Sequence, residues 1–442
     1  MEFSVVDGLR VVKFDLVYTL ALAALVLFLG YGLQRRASFL SKTSIPAAAI
    51  GGLLFALLIW FLRSRGLLGI SVDTTLRAPL QTVFFTTIGL SATLSLLRAG
   101  GWRMIFFLLI ASVTALVQNV VGMALAKTLN APAPLGVICG SLTLTGGPAT
   151  GLARAADFEA LGIKGANALI IASATFGIFF ASIVGNPVAV WLIRRFRLSG
   201  QWSVVSGQFD EVESPQLDEE EQRTKNKERL SNDEDQSPKI KGQSPITTES
   251  FLQSLLLLLV IMGLGALVSF GLTKLSAVLP GPFGALLKLP GYIGAMIVAA
   301  VFRNMNERFS WVEFNAEAFV VIGAVALALF LAIALMDLKL WELAGLAAPM
   351  IVILVVQIFM MVAYAVFVTF TLMGRDYEAA VTTSGHMGFG LGITPNAVAN
   401  MEALTARFGP APRSFLIVPV VGAFFIDFTN ALIINLFINF MG

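Results

Sequence analysis

The sequence predicts an all-α polytopic membrane protein made of two inverted repeats, each of five transmembrane helices plus one re-entrant hairpin. Composition supplies the first reason: 57% of the 442 residues are hydrophobic and only 13% charged. The mean hydropathy is +0.83, and soluble domains hold about 45–50% apolar residues. The second reason is a series of apolar runs of spanning length, each closed by charges. The third is internal repetition: Gly177, Phe179 and Phe180 recur as Gly422, Phe424 and Phe425, an offset of 422 − 177 = 245. At the same offset Ile88, Leu90, Ala99 and Gly100 recur as Ile333, Leu335, Ala344 and Gly345, and Gly140 and Gly147 as Gly385 and Gly392. The formal charge of +3 fits Lys- and Arg-rich cytoplasmic loops and implies no nucleic acid. A single cysteine, Cys139, rules out an intrachain disulfide and, with no CxxC pattern, a cysteine metal site.

The first repeat occupies residues 1–198. Its opening run, Phe14 to Leu33, lacks a small-residue cleavage site and reads as a retained span. Further spans follow at Ile45 to Leu62, Pro79 to Leu97 and Met104 to Leu129, bounded by Arg35/Arg36, Arg63/Arg65 and Arg98/Arg103. A glycine-rich element, Ser141 to Arg154, lies within a hairpin at about 133–161; the fifth span runs from Ala166 to Ile193. Residues 199–249 are too polar and charged to bury an ordered core, which predicts a disordered cytoplasmic linker. The second repeat, 250–442, has spans at Phe251 to Leu272, Leu289 to Val301, Ala318 to Met336, Ala344 to Leu372 and Phe415 to Phe440. Its hairpin lies at about 376–405.

Each glycine-rich element reads as helix, break, new helix. Broken backbone at membrane depth is tolerated where protein buries it or a cavity receives it, so each break is a candidate binding site. Polar flanks on both sides, Asn130 and Asp157/Glu159/Lys164 around the first and Arg375/Asp376 and Glu402/Arg407/Arg413 around the second, favour a hairpin over a crossing. Five spans per half then invert the second half, as in many secondary transporters. With periplasmic termini, Arg35, Arg36, Lys42, Arg98, Arg103, Arg194, Arg195, Arg303, Arg308 and Arg375 fall inside with the linker. Arg63, Arg65, Arg77 and Lys274 fall outside.

A helix that starts at a buried break aims N–H groups and its positive dipole end inward, where they suit a carboxylate. Two such ends suit a small substrate with two carboxylates. Thr394 followed by Pro395 reads as a hydroxyl cap and a ring at the helix start. Asn396 and Asn400 share one face, as do Thr150 and Arg154. Arg154 is the expected carboxylate partner, through a bidentate guanidinium; an i,i+3 pair with Asp157 is the bland alternative. Substrate-binding candidates are Thr145, Gly146, Gly147, Thr150 and Arg154 in the first element. In the second they are His386, Gly388, Gly390, Thr394, Asn396 and Asn400. His386, the only histidine, either faces the substrate or satisfies carbonyls freed by the break. Asp427 lies mid-span, where an unpaired carboxylate is costly and marks a functional position. It reads as a holder of Na⁺, H⁺ or an ammonium, with Asn430 and Asn119 as neutral oxygen ligands. Gln118 and Gln357 offer further oxygens, although helix-to-helix hydrogen bonding is the commoner use of such residues.

Four motifs, GSLTLTGG from Gly140, LFLAIALMDLKLWELAGLAAPM from Leu329, GHMGFGLGITPNAVANMEALTARFGP from Gly385 and VPVVGAFFIDFTNALI from Val418, resemble the bacterial glutamate:sodium symporter family. The resemblance covers both membrane halves and excludes the linker. It implies an inner-membrane protein that co-transports L-glutamate with Na⁺, with no organic cofactor and no enzymatic activity, working by alternating access, elevator-like and as a homodimer. The chain departs from the family pattern in the first loop, where Pro148 and Ala149 replace a histidine and a glycine-rich stretch. Competing expectations are a symporter of another dicarboxylate or hydroxycarboxylate and, from a different class, an ion channel whose filters are the two loops.

Overall fold

The computed structural model describes residues 2–6, 9–36, 45–198, 247–278, 290–342 and 345–441. Most of the 199–249 linker, with Lys42 and Leu289, lies outside them. The helices of the first half are α1 (Leu16–Arg36), α2 (Ala47–Ser64), α3 (Arg77–Ser91), α4 (Leu94–Thr128), α5 (Ala133–Val137), α6 (Gly147–Ala153), α7 (Ala155–Ala160) and α8 (Ala166–Arg195). The second half has α9 (Thr248–Val278), α10 (Gly291–Phe309), α11 (Ala316–Met336), α12 (Ala347–Tyr364), α13 (Tyr377–Leu391), α14 (Thr394–Phe408), α15 (Pro412–Val420) and α16 (Ile426–Met441).

Among the described residues eight helical segments are long and apolar enough to cross a membrane, so the protein is a multi-pass membrane protein. The sequence reading counts α3 and α10 as spans as well. By length and composition they fall short: α3 has 15 residues, and α10 carries Arg303, Glu307 and Arg308 towards its end. The expectation of an all-α chain needs one correction. Strands β1 (Glu2–Val6), β2 (Leu9–Lys13) and β3 (Gly69–Ser71) form a small sheet, β1 antiparallel and β3 parallel to β2. Val6 pairs with Leu9, so Asp7 and Gly8 separate the strands, a dipeptide that favours two-residue hairpins. Asp15 then starts α1 by accepting from the N–H groups of Tyr18 and Val17, at 3.1 and 3.0 Å. These bonds, that of Tyr18 first, hold its carboxyl below the ordinary aspartate range.

Packing sorts the helices into two groups, and each group draws on both halves of the chain. In one, α2 packs on α1 and α11, while α10 packs on α9 and α3, with α3 and α11 in contact at the centre. Close approach here needs small residues: a Cβ on Gly89 of α3 or Gly323 of α11 would strike the facing helix. In the other group α4, α8, α12 and α16 surround the segments α5 to α7 and α13 to α14. Their shared core includes Leu135, Ile138, Leu144, Phe158, Met387 and Leu391. Arg77, which the topology expectation leaves on the less basic side, joins the groups through Nη2, donating to Leu152 O (3.0 Å) and Asn167 Oδ1 (2.6 Å).

Three π-helical turns interrupt the second group: Ile138–Leu142 after α5, Ala365–Thr369 after α12 and Val421–Phe425 between α15 and α16. Such insertions are frequent at functional positions. The first contains Gly140 and the third accepts a hydrogen bond from Thr394, both at the breaks described next, whereas the second packs on α13 and meets His386.

Candidate transport site

The second glycine-rich element is broken at Gly392 and Ile393, between α13 and α14, as its composition predicts. Gly385, Gly388 and Gly390 lie inside α13, against expectation, because they serve close packing. A Cβ on Gly388 would run into Ala397 of α14, and one on Gly385 into Met401 and Val418. Thr394 is not the cap that its sequence suggests. The N-cap position belongs to Ile393, and Thr394 Oγ1 donates to Gly422 O at 2.7 Å.

The first element turns through Gly140 (φ −104°, ψ −138°) and Gly146 before α6 begins at Gly147, whose φ of +67° suits glycine. The two breaks meet. A Cβ on Gly147 would lie 2.9 Å from Ile393 Cγ2 and 3.9 Å from Gly392 O, so the glycines paired by the repeat offset face one another.

Gln118 of α4 ties both breaks together. Its Nε2 donates to Gly390 O (2.7 Å), its Oε1 accepts from Thr145 Oγ1 (2.7 Å), and its carbonyl accepts from Gln357 Nε2 (2.6 Å). Next to it, Asn119 Oδ1 accepts from Ser141 N (2.8 Å), and Asn430 Nδ2 donates to Ser141 O (2.9 Å). Asn119 and Asn430, named from opposite halves of the sequence, are thus brought to one residue. Ser141 Oγ, Asn430 Oδ1 and Asn119 Nδ2 remain buried without hydrogen-bond partners. Buried polar atoms of this kind are costly unless something else satisfies them.

Other candidates are placed differently. Asn396 Nδ2 donates to Ile178 O (3.1 Å) and Ser182 Oγ (2.7 Å), and Asn400 Nδ2 to Ala181 O (3.0 Å). Both therefore pin α14 to α8, with Asn396 Oδ1 left unpartnered. Thr150 is buried on α6. His386 lies in α13, before the break, where its Nδ1 is 2.8 Å from Thr369 Oγ1 and its Nε2 is 3.4 Å from Thr114 Oγ1. Phe107, Tyr364 and Phe389 surround its ring. It contacts hydroxyls, neither the break nor a freed carbonyl.

Arg154 is 4% exposed. Its Nη2 donates to Asn435 Oδ1 (3.2 Å), and its Nε lies 2.8 Å from Asp157 Oδ2. The second contact is the i,i+3 ion pair with Asp157 that the sequence offers as the bland alternative. Asp427 makes no hydrogen bond or ion pair among the described residues. It sits where α16 meets α3 and α10: its neighbours Phe424, Phe428 and Ala431 pack with Phe85, Tyr292 and Met296 and with Ala149 and Ala153 of the first element.

Comparisons with known proteins concern the chain as a whole. The family described as sodium/glutamate symporter matches residues 12–410. A sodium/glutamate symporter of Haemophilus influenzae is 40% identical over 420 residues, covering 94% of this chain and 95% of its own. The chain belongs to the sodium/glutamate symporter family. A second relative of that description, from Escherichia coli, is 39% identical over 425 residues, 96% of this chain and 97% of its own. Both relatives are named as transporters rather than as enzymes. A solved sodium proton antiporter from Methanocaldococcus jannaschii aligns over 97% of this chain and 95% of its own at a TM-score of 0.38 and 16% identity, too loose a likeness to build on.

In this member of the symporter family, sequence reasoning missed two residues. Ser141 lies inside the glycine-rich stretch but carries no signal of its own. Tyr292 opens an apolar helix, and nothing in its spacing marks it. Its ring stacks on Phe85 (4.2 Å between centroids), its hydroxyl is buried without a partner, and it packs in one cluster with Ala149 and Ala153 of the first element and with Phe424, Phe428 and Ala431 around Asp427.

Proposed function

We propose that the chain is a secondary active transporter that couples uptake of L-glutamate to entry of Na⁺ across the inner membrane, by alternating access. The observation that carries this reading, within the shown family, is the meeting of two broken helices beside a set of buried, unspent polar groups. Those groups divide by chemistry. Arg154, buried and cationic beside Asp157, and the unpartnered Tyr292 hydroxyl are donors suited to a substrate carboxylate. The dipole end of α14 adds positive potential at the junction. Ser141 Oγ and Asn430 Oδ1 are oxygens suited to Na⁺, and Asp427 supplies the negative charge that makes binding a cation favourable. Na⁺ then stabilises the geometry in which glutamate binds, and by reciprocity glutamate tightens Na⁺, which is the condition for coupled flux.

The broken segments are re-entrant hairpins, and residues 1–198 and 250–442 form inverted repeats. The reciprocal packing of α2 on α11 and of α10 on α3 supports that relation. The group holding both hairpins moves as an elevator against the group of α1 to α3 and α9 to α11, in a homodimer with periplasmic termini and a cytoplasmic linker. The test is uptake of labelled glutamate into proteoliposomes in Na⁺ or in choline, with aspartate, citrate and malate as competitors. Na⁺-dependent uptake displaced by unlabelled glutamate, and not by a hundredfold excess of citrate or malate, is the expected result. Displacement by those acids at glutamate's own concentration would reassign the substrate class.

A further inference from the structure

A cavity of about 330 Å³ lies well apart from the hairpin junction, where the end of α3 and the start of α4 meet α10 and α11. Nothing in the transport reading uses it. One wall is polar, with Ser91, Thr93, Ser95, Arg303 and Glu307. The other is apolar, with Leu90, Phe314, Phe319 and Val320. Val320 is 64% exposed, so the apolar wall continues onto the outer flank of α11, a helix of membrane-spanning hydropathy.

The polar wall is preorganised. Leu94 N donates to Asn304 Oδ1 (2.6 Å) and Asn304 Nδ2 to Ala92 O (2.9 Å), which fixes the α3–α4 corner against α10. Arg303 lies with its guanidinium 3.9 Å from the centre of the Phe314 ring, and its Nη2 is 3.1 Å from Glu307 Oε1. Its Nε is buried and has no hydrogen-bond partner. Glu307 Oε2 is 3.2 Å from Ser95 Oγ. A stacked guanidinium presents its edge N–H groups to an oxyanion, and a carboxylate held alongside accepts from an ammonium.

We propose that this cavity binds the headgroup of a zwitterionic phospholipid bearing a primary ammonium, phosphate on Arg303 and ammonium on Glu307, with its acyl chains leaving past Val320. The charge balance selects the ligand. A cation and an anion together disfavour a purely anionic headgroup, and a quaternary ammonium has no N–H to give Glu307. The apolar wall and exposed flank favour a lipid over a free phosphomonoester.

The experiment measures thermal shift and lipid retention by native mass spectrometry on the full chain in detergent. The probes are phosphatidylethanolamine, phosphatidylglycerol, phosphatidylcholine and water-soluble phosphoethanolamine. The wild type is expected to bind phosphatidylethanolamine about tenfold more tightly than the other two lipids, the value of one charge-assisted hydrogen bond. Glu307→Gln removes that preference and favours phosphatidylglycerol, whereas Arg303→Gln weakens all lipids that carry a phosphate. Ser95→Ala, a milder change that preserves both charges, lowers the preference about threefold. Equal shifts by the three lipids, an unchanged preference in Glu307→Gln, or binding of phosphoethanolamine as tight as that of the lipid would each overturn the proposal. Because the readout is lipid binding, it stands or falls independently of which solute is transported.

Discussion

Asp427 and Tyr292 face each other's surroundings from different helix groups, and each supports a prediction by single substitution. Asp427→Asn keeps the shape and removes the charge, so the Na⁺ concentration for half-maximal uptake is expected to rise at least about tenfold, the effect of losing one favourable interaction with a cation. Unchanged Na⁺ dependence in purified vesicles would remove Asp427 from coupling. Tyr292→Phe keeps the ring on Phe85 and deletes only the unpartnered hydroxyl. The KM for glutamate is expected to rise about tenfold, as for loss of a hydrogen bond to a charged group. The maximal rate and the melting temperature stay near wild type. A melting change without a KM change would make the hydroxyl purely structural. Asp427 stood out in the sequence because a mid-span carboxylate is rare. Tyr292 did not, because its neighbours Ala149, Ala153 and Phe424 lie far from it along the chain.

At the scale of elements, both breaks were legible from glycine and proline, and the two glycines that the offset pairs, Gly147 and Gly392, lie against one another. Capping was misread at Thr394, because it is already the first helical residue after Ile393, and its hydroxyl turns away to donate to Gly422 O. The π turns carry no sequence signature, and the short β1 and β2 strands were overlooked beside a membrane-scale pattern. Two predictions belong here. Gln118→Leu leaves Thr145 Oγ1 and Gly390 O without their partner, at about 1–3 kcal/mol for each buried group. A lower melting temperature and weaker uptake are expected, and Gln118→Glu, which sets a buried carboxylate against Gly390 O, is expected to lose at least as much stability; equal stability of Gln118→Leu and wild type would refute the tie. Gly147→Ala forces a side chain into positive φ and against Ile393, at about 1–2 kcal/mol for the backbone alone. Uptake is expected to fall more than membrane expression, which quantitative blotting beside uptake would check.

For the whole molecule, composition and periodicity made a polytopic bundle legible, and the 245-residue offset foretold that halves would mix. What they could not supply was the partition into two groups, because that depends on which apolar faces meet, and membrane helices are apolar on most faces. Arg77 shows the same gap: read alone it weakens the charge asymmetry, whereas folded it holds Leu152 and Asn167. The central claim, that the junction of the two breaks couples glutamate to Na⁺, is tested most directly in proteoliposomes with membrane potential held at zero. An inward Na⁺ gradient is expected to drive labelled glutamate above its external concentration, and reversing the gradient to empty the vesicles. Glutamate that merely equilibrates at the same rate whatever the direction of the Na⁺ gradient would contradict the account.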